Sequence, residues 1–346
     1  MLVFVGNPTQ YHSPLFRMMS QSPELEIEVM FGDEIGAKPF YNAEVMATIE
    51  WDIPVLEGYS HRFFRNHSSP GKQGFWSRNN PGMFGYVLRS NASFVLLHGY
   101  NTLSSWYVYV AAVLSGKKII WRGETVRSRA NSKKVIAALK ALILPAYFRA
   151  CHKVLYSCTA NRDHLQLFLR GQEKKLQSFP CAVDNAFFRQ HKISDEEEKA
   201  ALRAELGIPG DHMVLVTCSR LTRRKRTYLI VEAMGKMPSR ERVTLLIIGG
   251  GPEQEPLKAL AQKLGVNLIV TGFVGQKRVA TLLSISDIFV LLSEYDASPK
   301  ALNEAMNFPM PMIVSDGVGT SADLVKDDIN GHIYLGTDSD SLSEIL

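Results

Sequence analysis

Cysteine is scarce in this 346-residue chain: Cys151, Cys158, Cys181 and Cys218 have neither zinc-ligand spacing nor the density of a disulfide framework. Metal-stapled and disulfide-stapled scaffolds are therefore excluded, and the four read as ordinary core or near-surface thiols. Long apolar runs are also missing. The greasiest stretch, 135–148, is broken by Lys140 and Pro145 and is too short to span a bilayer. The opening Met1-Leu2-Val3-Phe4-Val5-Gly6 has no basic stretch ahead of a long apolar region, so it reads as a first strand and not a secretion signal. The expectation is a soluble cytoplasmic protein. What is present, 46% hydrophobic and 10% aromatic residues, excludes disordered and collagen-like chains. The length favours two domains, each able to bury its own core.

The formal net charge of +5 is unevenly spread. Residues 1–88 carry −3, residues 89–175 carry +12 with Glu124, Asp163 and Glu173 as their only acids, and residues 176–346 carry −4. The basic block admits two readings, a solvated face or a surface for an anionic partner such as phospholipid headgroups, a pyrophosphate-linked lipid or nucleic acid.

Short aliphatic and β-branched runs at 2–5, 28–31, 94–97, 118–121, 154–157 and 176–179 alternate with helical patterns. A second series follows at 213–218, 243–248, 267–270, 288–292, 312–315 and 332–335. Such runs mark parallel sheets covered on both faces. Two series predict two doubly wound, Rossmann-like α/β domains, 1–190 and 191–346, working in the cleft between their sheets. The acidic helix-like run 194–206, stopped by Gly207-Ile208-Pro209-Gly210, lies between them. Ligands of open α/β sheets bind beyond the carboxyl ends of strands, so the residues that follow each strand carry the interest.

Ser219-Arg220-Leu221-Thr222-Arg223-Arg224-Lys225-Arg226 follows 213–218 and opens an amphipathic helix. Arg220 and Lys225 there suit neutralisation of a diphosphate. A nucleic-acid patch is the weaker reading, because no aromatics interleave and the second half is acidic. Gly249-Gly250-Gly251-Pro252 follows 243–248, either for close ligand approach or simply as a tight turn, and Thr271-Gly272-Phe273-Val274 ends the next strand. After 288–292 come Asp296, Ala297, Ser298, Pro299, Lys300, Ala301, Leu302 and Glu304. Asp296 falls in a loop and Glu304 about two turns into a helix begun near Pro299, where the free N–H groups of 298–301 suit phosphate. Glu304 can hydrogen-bond a hydroxyl pair, or it can merely solvate a surface helix.

In this order and spacing, these pieces resemble the retaining GT-B glycosyltransferases of family 4, across nearly all of residues 213–335. Ser219-Arg220-Leu221…Lys225 is similar to that family's G-R-L-x-x-x-K element, Ile248 to Pro252 to its v-G-x-G-P loop, residues 271–274 to its base-side turn, and Asp296 through Met306 to its E-x7-E helix. The resemblance implies that Arg220 and Lys225 bind the donor diphosphate, Glu304 the ribose hydroxyls and Asp296 the sugar hydroxyls. Gly250, Gly251, Gly272, Phe273, Ser298, Pro299, Ala301 and Leu302 would line the donor, and Lys300 would add charge. The chain departs from the pattern where Asp296 replaces the usual Glu, where Ala297-Ser298-Pro299-Lys300 replaces a Gly-rich segment, and where Glu304-Ala305-Met306 runs on into Asn307-Phe308-Pro309. Glu294 is a substitute acid at the wrong spacing, ten residues before Glu304 instead of eight.

The first half matches more loosely. His12 lies in the loop after the first strand, His98 after 94–97, and Arg122 and Glu124 after 118–121. They are the acceptor-side candidates, with structural histidines, and a Glu124 salt bridge to Arg122 or Arg127, as the plainer alternatives. The basic stretch 127–144 suits either a helix on an anionic bilayer or a buried helix with a basic rim.

The function expected is transfer of a sugar from a nucleotide-diphosphate donor to a glycan or lipid-linked glycan, in cell-surface polysaccharide synthesis at the inner face of the cytoplasmic membrane. Partners are the nucleotide sugar, the acceptor and an anionic membrane surface, without nucleic acid. No cofactor is expected, and no metal, since Asp338-Ser339-Asp340 lies outside the strand-end pattern. A glycoside phosphorylase, a non-hydrolysing sugar-nucleotide epimerase and a non-catalytic sugar- or nucleotide-binding protein are the competing readings. The chain closes at Leu346 where the family usually adds a helix crossing back to the first domain, which suggests a truncated chain, part of a larger protein or a short variant.

Overall fold

The computed structural model describes residues 1–69, 74–126 and 134–346, with the side chains of Lys134 and Val135 left aside. Residues 127–133, with Arg127, Arg129 and Lys133 of the basic stretch, lie outside the described residues.

The chain forms two compact units, Met1–Pro39 with Ile53–Cys181, and Phe40–Asp52 with Ala182–Leu346. The first holds a seven-stranded parallel sheet in the spatial order Ser60–Phe63, Glu28–Phe31, Leu2–Val5, Phe94–His98, Lys118–Gly123, Cys151–Tyr156, Leu176–Ser178. The second holds six parallel strands in the order Asn267–Val270, Val243–Ile248, Met213–Cys218, Ile288–Leu291, Met312–Ser315, Gly331–Tyr334. Both are the α/β architecture that the alternating runs predict.

Period-two alternation explains why the central strands are apolar throughout. Val214 and Val216 pack in one cluster with Leu246 and Ile248, while Leu215 packs in another with Leu245 and Ile247. Leu2 and Phe4 are likewise divided from Val3 and Val5 in the first sheet. Each sheet therefore buries apolar side chains on both faces, at roughly 1.5–3 kcal/mol for each fully buried aliphatic residue.

Two elements were not anticipated. Ser60–Phe63 adds a strand to the edge of the first sheet. Phe40–Asn42 and Ala47–Ile49 form an antiparallel hairpin that packs as part of the second unit although it is threaded through the sequence of the first. The sequence divides the chain at 190/191, whereas the compact units divide at 181/182. Asp184 caps the helix Asn185–Gln190 and Asp195 caps Glu196–Glu205. Phe188 and Leu202 from these helices are buried in the second unit's core, so the segment is packed structure and not a linker. Among the described residues no helix is long and apolar enough to cross a membrane.

Candidate functional site

The second unit gathers the sequence's main candidates at the carboxyl edge of its sheet. After Met213–Cys218 the chain turns through a 3-10 turn, Arg223–Lys225, before the helix Thr227–Lys236. The basic cluster therefore precedes the helix and does not form its first turn. Lys225 is buried and forms an ion pair and hydrogen bond from Nζ to Asp296 Oδ2. Arg220 is about half exposed and pairs with Glu44 of the hairpin. Burial pulls the Arg220 guanidinium's pKa down, Arg224 pulls it further, and Asp296 opposes both. Arg223 is engaged elsewhere, over the Tyr228 ring at 4.1 Å and 3.9 Å from Glu253.

The glycine loop has a packing reason. A Cβ on Gly249 would stand 2.1 Å from the Ser219 carbonyl oxygen and one on Gly251 2.6 Å from that of Leu221, both at φ values only glycine adopts readily. Leu221 N–H donates to the Gly250 carbonyl at 2.9 Å, so the loop lies directly against the basic turn and fixes the backbone at Arg220. The position of a Gly250 Cβ is 3.1 Å from the Val45 carbonyl.

The segment around Asp296 is bonded to the turn at 317–319: Asp296 N–H donates to the Gly317 carbonyl at 3.0 Å, and Gly319 N–H donates to the Asp296 carbonyl at 2.7 Å. Pro299 precedes a helix of six residues, Lys300–Ala305, so Glu304 stands about one turn in and not two. Glu304 is buried, which removes the solvated-surface reading, and accepts from Gln276 Nε2 at 3.5 Å. Burial pushes the Cys218 thiol well up, Glu304 pushes the same way and Lys225 opposes, so Cys218 marks a point within electrostatic reach of both. Lys300 Nζ folds back to the Ser298 carbonyl at 3.2 Å. Leu302 is in the apolar core, leaving only its backbone for a ligand, while Glu294 is exposed. Gly272, at positive φ, has open space at its Cβ position, and the Phe273 ring meets Trp51 edge-on at 6.3 Å.

In the first unit, His98 and Arg122 are register partners at the ends of adjacent strands. The rings of His98 and His12 meet edge-on at 5.1 Å, and His12 Nδ1 is 3.2 Å from Thr9 Oγ1. Burial, then His12, then Arg122 hold the His98 imidazole well below its ordinary pKa, and its Nε2 has no partner among the described residues. Arg122 is buried, 3.2 Å from Glu124 and with Nη2 donating to Cys181 Sγ at 3.2 Å. The Glu124–Arg122 bridge thus exists. Asp338 accepts from the N–H groups of Asp340 and Ser341 as cap of the helix Ser339–Ser343. Among the described residues no group of three or more His, Cys, Asp or Glu stands together as a metal site.

With this geometry in place, residues 198–346 match the family model described as Glycosyl transferases group 1. They form a group 1 glycosyl transferase domain. The chain is 26% identical over 272 residues to D-inositol 3-phosphate glycosyltransferase of Xylanimonas cellulosilytica, covering 77% of this chain and 60% of that protein. It is 26% identical over 178 residues to alpha-monoglucosyldiacylglycerol synthase of Streptococcus pneumoniae, covering 51% of this chain and 40% of the relative. The matched region thus spans about three-fifths or less of these relatives' lengths. In three dimensions the chain is similar to Anabaena HepE crystallised with UDP, with a TM-score of 0.73 at 15% identity over 99% of this chain and 88% of that one. The fold class is accordingly GT-B, with two Rossmann-like units.

Sequence reasoning missed what the hairpin brings to the group 1 domain. The helix Gln276–Ser284 has glycine at its N-cap, without a side chain to cap it. Asp52 Oδ2 supplies the missing acceptor, receiving Lys277 N–H at 2.8 Å, and a Cβ on Gly275 would stand 2.6 Å from that oxygen. Asp52 thereby holds the turn that carries Gln276, and Gln276 contacts Glu304. A glycine N-cap is a readable signal for a cap from elsewhere; which carboxylate answers it is not written locally.

Proposed function

We propose that the protein is a retaining glycosyltransferase moving a sugar from a nucleotide-diphosphate donor to a glycan or lipid-linked glycan. The observation that carries this reading is the grouping of Arg220, Lys225, Asp296 and Glu304 at the carboxyl edge of the group 1 domain's sheet. Arg220 and Lys225 would meet the charge that grows on the departing diphosphate. Glu304, held by Gln276, would bind the ribose hydroxyls. Asp296, anchored on Lys225, would orient the sugar. In the front-face route, the bond from the sugar's anomeric carbon to the diphosphate oxygen breaks as the acceptor oxygen bonds to the same face. The acceptor's proton passes to the leaving phosphate oxygen. Cations from the chain supply the electrostatic stabilisation, so the reaction is proposed to need neither metal nor cofactor.

His98, Arg122, Glu124 and His12 are proposed to orient the acceptor at the first unit's sheet edge. A neutral, half-buried His98 can accept a hydrogen bond from an acceptor hydroxyl. The helix Lys134–Ala150 exposes Ile136, Leu139 and Ile143 at a one-face spacing, with Leu142 more than three-quarters exposed and Lys140 on the same helix. That pattern, inside the +12 block, supports peripheral contact with an anionic cytoplasmic membrane surface. The lipid-linked product named for the pneumococcal relative is consistent with such a surface.

Incubation with a nucleotide-sugar panel, followed by NMR of the product's anomeric configuration with and without chelator, tests the proposal. Retained configuration and chelator-insensitive turnover are expected; inversion, or activity lost with chelator and restored by a divalent cation, contradicts it. Activity that requires inorganic phosphate in place of nucleotide would identify a phosphorylase instead.

A further inference from the structure

The first unit also holds a charged side chain that the proposed function does not use. Gly6 and Gly32 directly follow the adjacent strands Leu2–Val5 and Glu28–Phe31, and Gly32 N–H donates to the Gly6 carbonyl at 3.1 Å. Beneath both lies Arg78. A Cβ on Gly6 would stand 2.8 Å from the Arg78 Cζ, and one on Gly32 3.2 Å from its Cδ. The two positions that could have covered the guanidinium are therefore residues without side chains.

The frame around Arg78 is fixed by hydrogen bonds. Asn80 Nδ2 donates to the carbonyls of Gly32 at 3.0 Å and Phe64 at 2.8 Å. Ser104 Oγ donates to Asn80 Oδ1 at 2.7 Å and receives Asn80 N–H at 2.9 Å, while Ser104 N–H reaches the Arg78 carbonyl at 3.3 Å. The guanidinium itself is poorly partnered. Nη2 donates to Asn7 Oδ1 at 2.9 Å, Nε has no partner among the described residues, and no described carboxylate lies within ion-pair distance. Asp33 attracts it only from farther away, and burial draws its pKa down. A guanidinium carries five N–H donors and keeps its charge at neutral pH. Holding one in a partly desolvated, preorganised frame against a neutral amide is costly without an anion.

We propose that Arg78, held in place by the Asn7 side-chain carbonyl, forms an oxyanion subsite at the first unit's sheet edge, taking a phosphate or carboxylate group of the acceptor. Asn7 lies two residues past the strand Leu2–Val5, and His98 ends the neighbouring strand Phe94–His98, so the subsite adjoins the acceptor candidates. The assignment of the anion to an acceptor rests on the proposed function; the anion binding itself does not.

Calorimetric titration of the full chain with inorganic phosphate, at saturating UDP and without nucleotide, separates this subsite from Arg220 and Lys225. Saturable phosphate binding should persist under UDP and weaken about ten-fold or more in Arg78→Gln. Arg78→Lys should retain part of it, and Gly6→Ala should weaken it by pressing a methyl group on the guanidinium. Glucose 1-phosphate and glucuronate as competing probes distinguish a phosphorylated from a carboxylated ligand. Absence of phosphate binding under UDP, or unchanged binding in both Arg78→Gln and Gly6→Ala, overturns the subsite. Should UDP itself not bind, the donor reading fails, and phosphate binding lost in Arg78→Gln but kept in Lys225→Met still upholds the subsite.

Discussion

The two sheet edges differ in how far their cations are balanced. In the group 1 domain the cations are matched by carboxylates of the same unit, Lys225 by Asp296 and Arg220 by Glu44. At the first unit's edge Arg122 is likewise paired, with Glu124, and also donates to the Cys181 thiol, but Arg78 rests on a neutral amide and burial holds the His98 pKa down. A site whose charges are balanced before its ligand arrives must exchange partners to bind. An under-balanced one can gain an anion with little rearrangement.

Breaking the buried pair should have the largest effect. Lys225→Met leaves Asp296 as an uncompensated, largely covered carboxylate. Denaturant titration should show a loss of about 3–5 kcal/mol, and steady-state assays should show turnover falling roughly 10²–10³-fold. Restoring apolar balance in Lys225→Met with Asp296→Leu should recover stability without activity.

Glu304→Gln should lower transfer by about ten-fold or more, read mainly in the donor KM, because a neutral amide hydrogen-bonds the ribose less strongly than a carboxylate. A fold intact by circular dichroism is expected, since the Gln276 contact can be kept. Wild-type kinetics in this variant would contradict the proposed role of Glu304 at a donor site.

Asp52→Ala takes away the cap of Gln276–Ser284 and should cost about 1 kcal/mol. Nucleotide binding should weaken with it through Gln276 and Glu304. Stability lost without any change in nucleotide binding would make the cap purely structural.

The smallest effect sharpens the first unit's side of the comparison. His98 has a folded pKa held below its unfolded value of about 6.5. Below that value the unfolded chain binds a proton that the folded chain refuses, so stability falls as pH drops from 7 to 5. His98→Gln should flatten that fall in urea titrations at the two pH values; an unchanged slope would mean His98 is protonated freely in the native protein.

The same contrast explains what could be read in advance. The proposed donor edge is built from short contiguous stretches, 219–226, 249–252, 271–274 and 296–304, so its candidates can be named from motifs in the sequence. The central strands were equally legible, because burial on both faces leaves continuous apolar runs, whereas the half-exposed edge strand Ser60–Phe63 has none. Arg78 meets Asn7 across 71 residues and Arg122 meets Cys181 across 59, and no local pattern announces either contact. The hairpin was hidden for another reason. Its turn uses Met46 at positive φ and an Asn42 side chain accepting from Glu44 N–H, with no glycine to mark it. Its crossing into the second unit depends on Asp52 and Val45, whose partners lie about two hundred residues away.

Calorimetry of UDP and GDP against the wild-type chain and Lys225→Met tests the central claim most directly, that the group 1 domain's sheet edge is a nucleotide-diphosphate donor site. The account predicts saturable one-to-one binding of at least one of the two nucleotides, weakened at least ten-fold in the variant. Binding of neither, or equal affinity in both proteins, would contradict it.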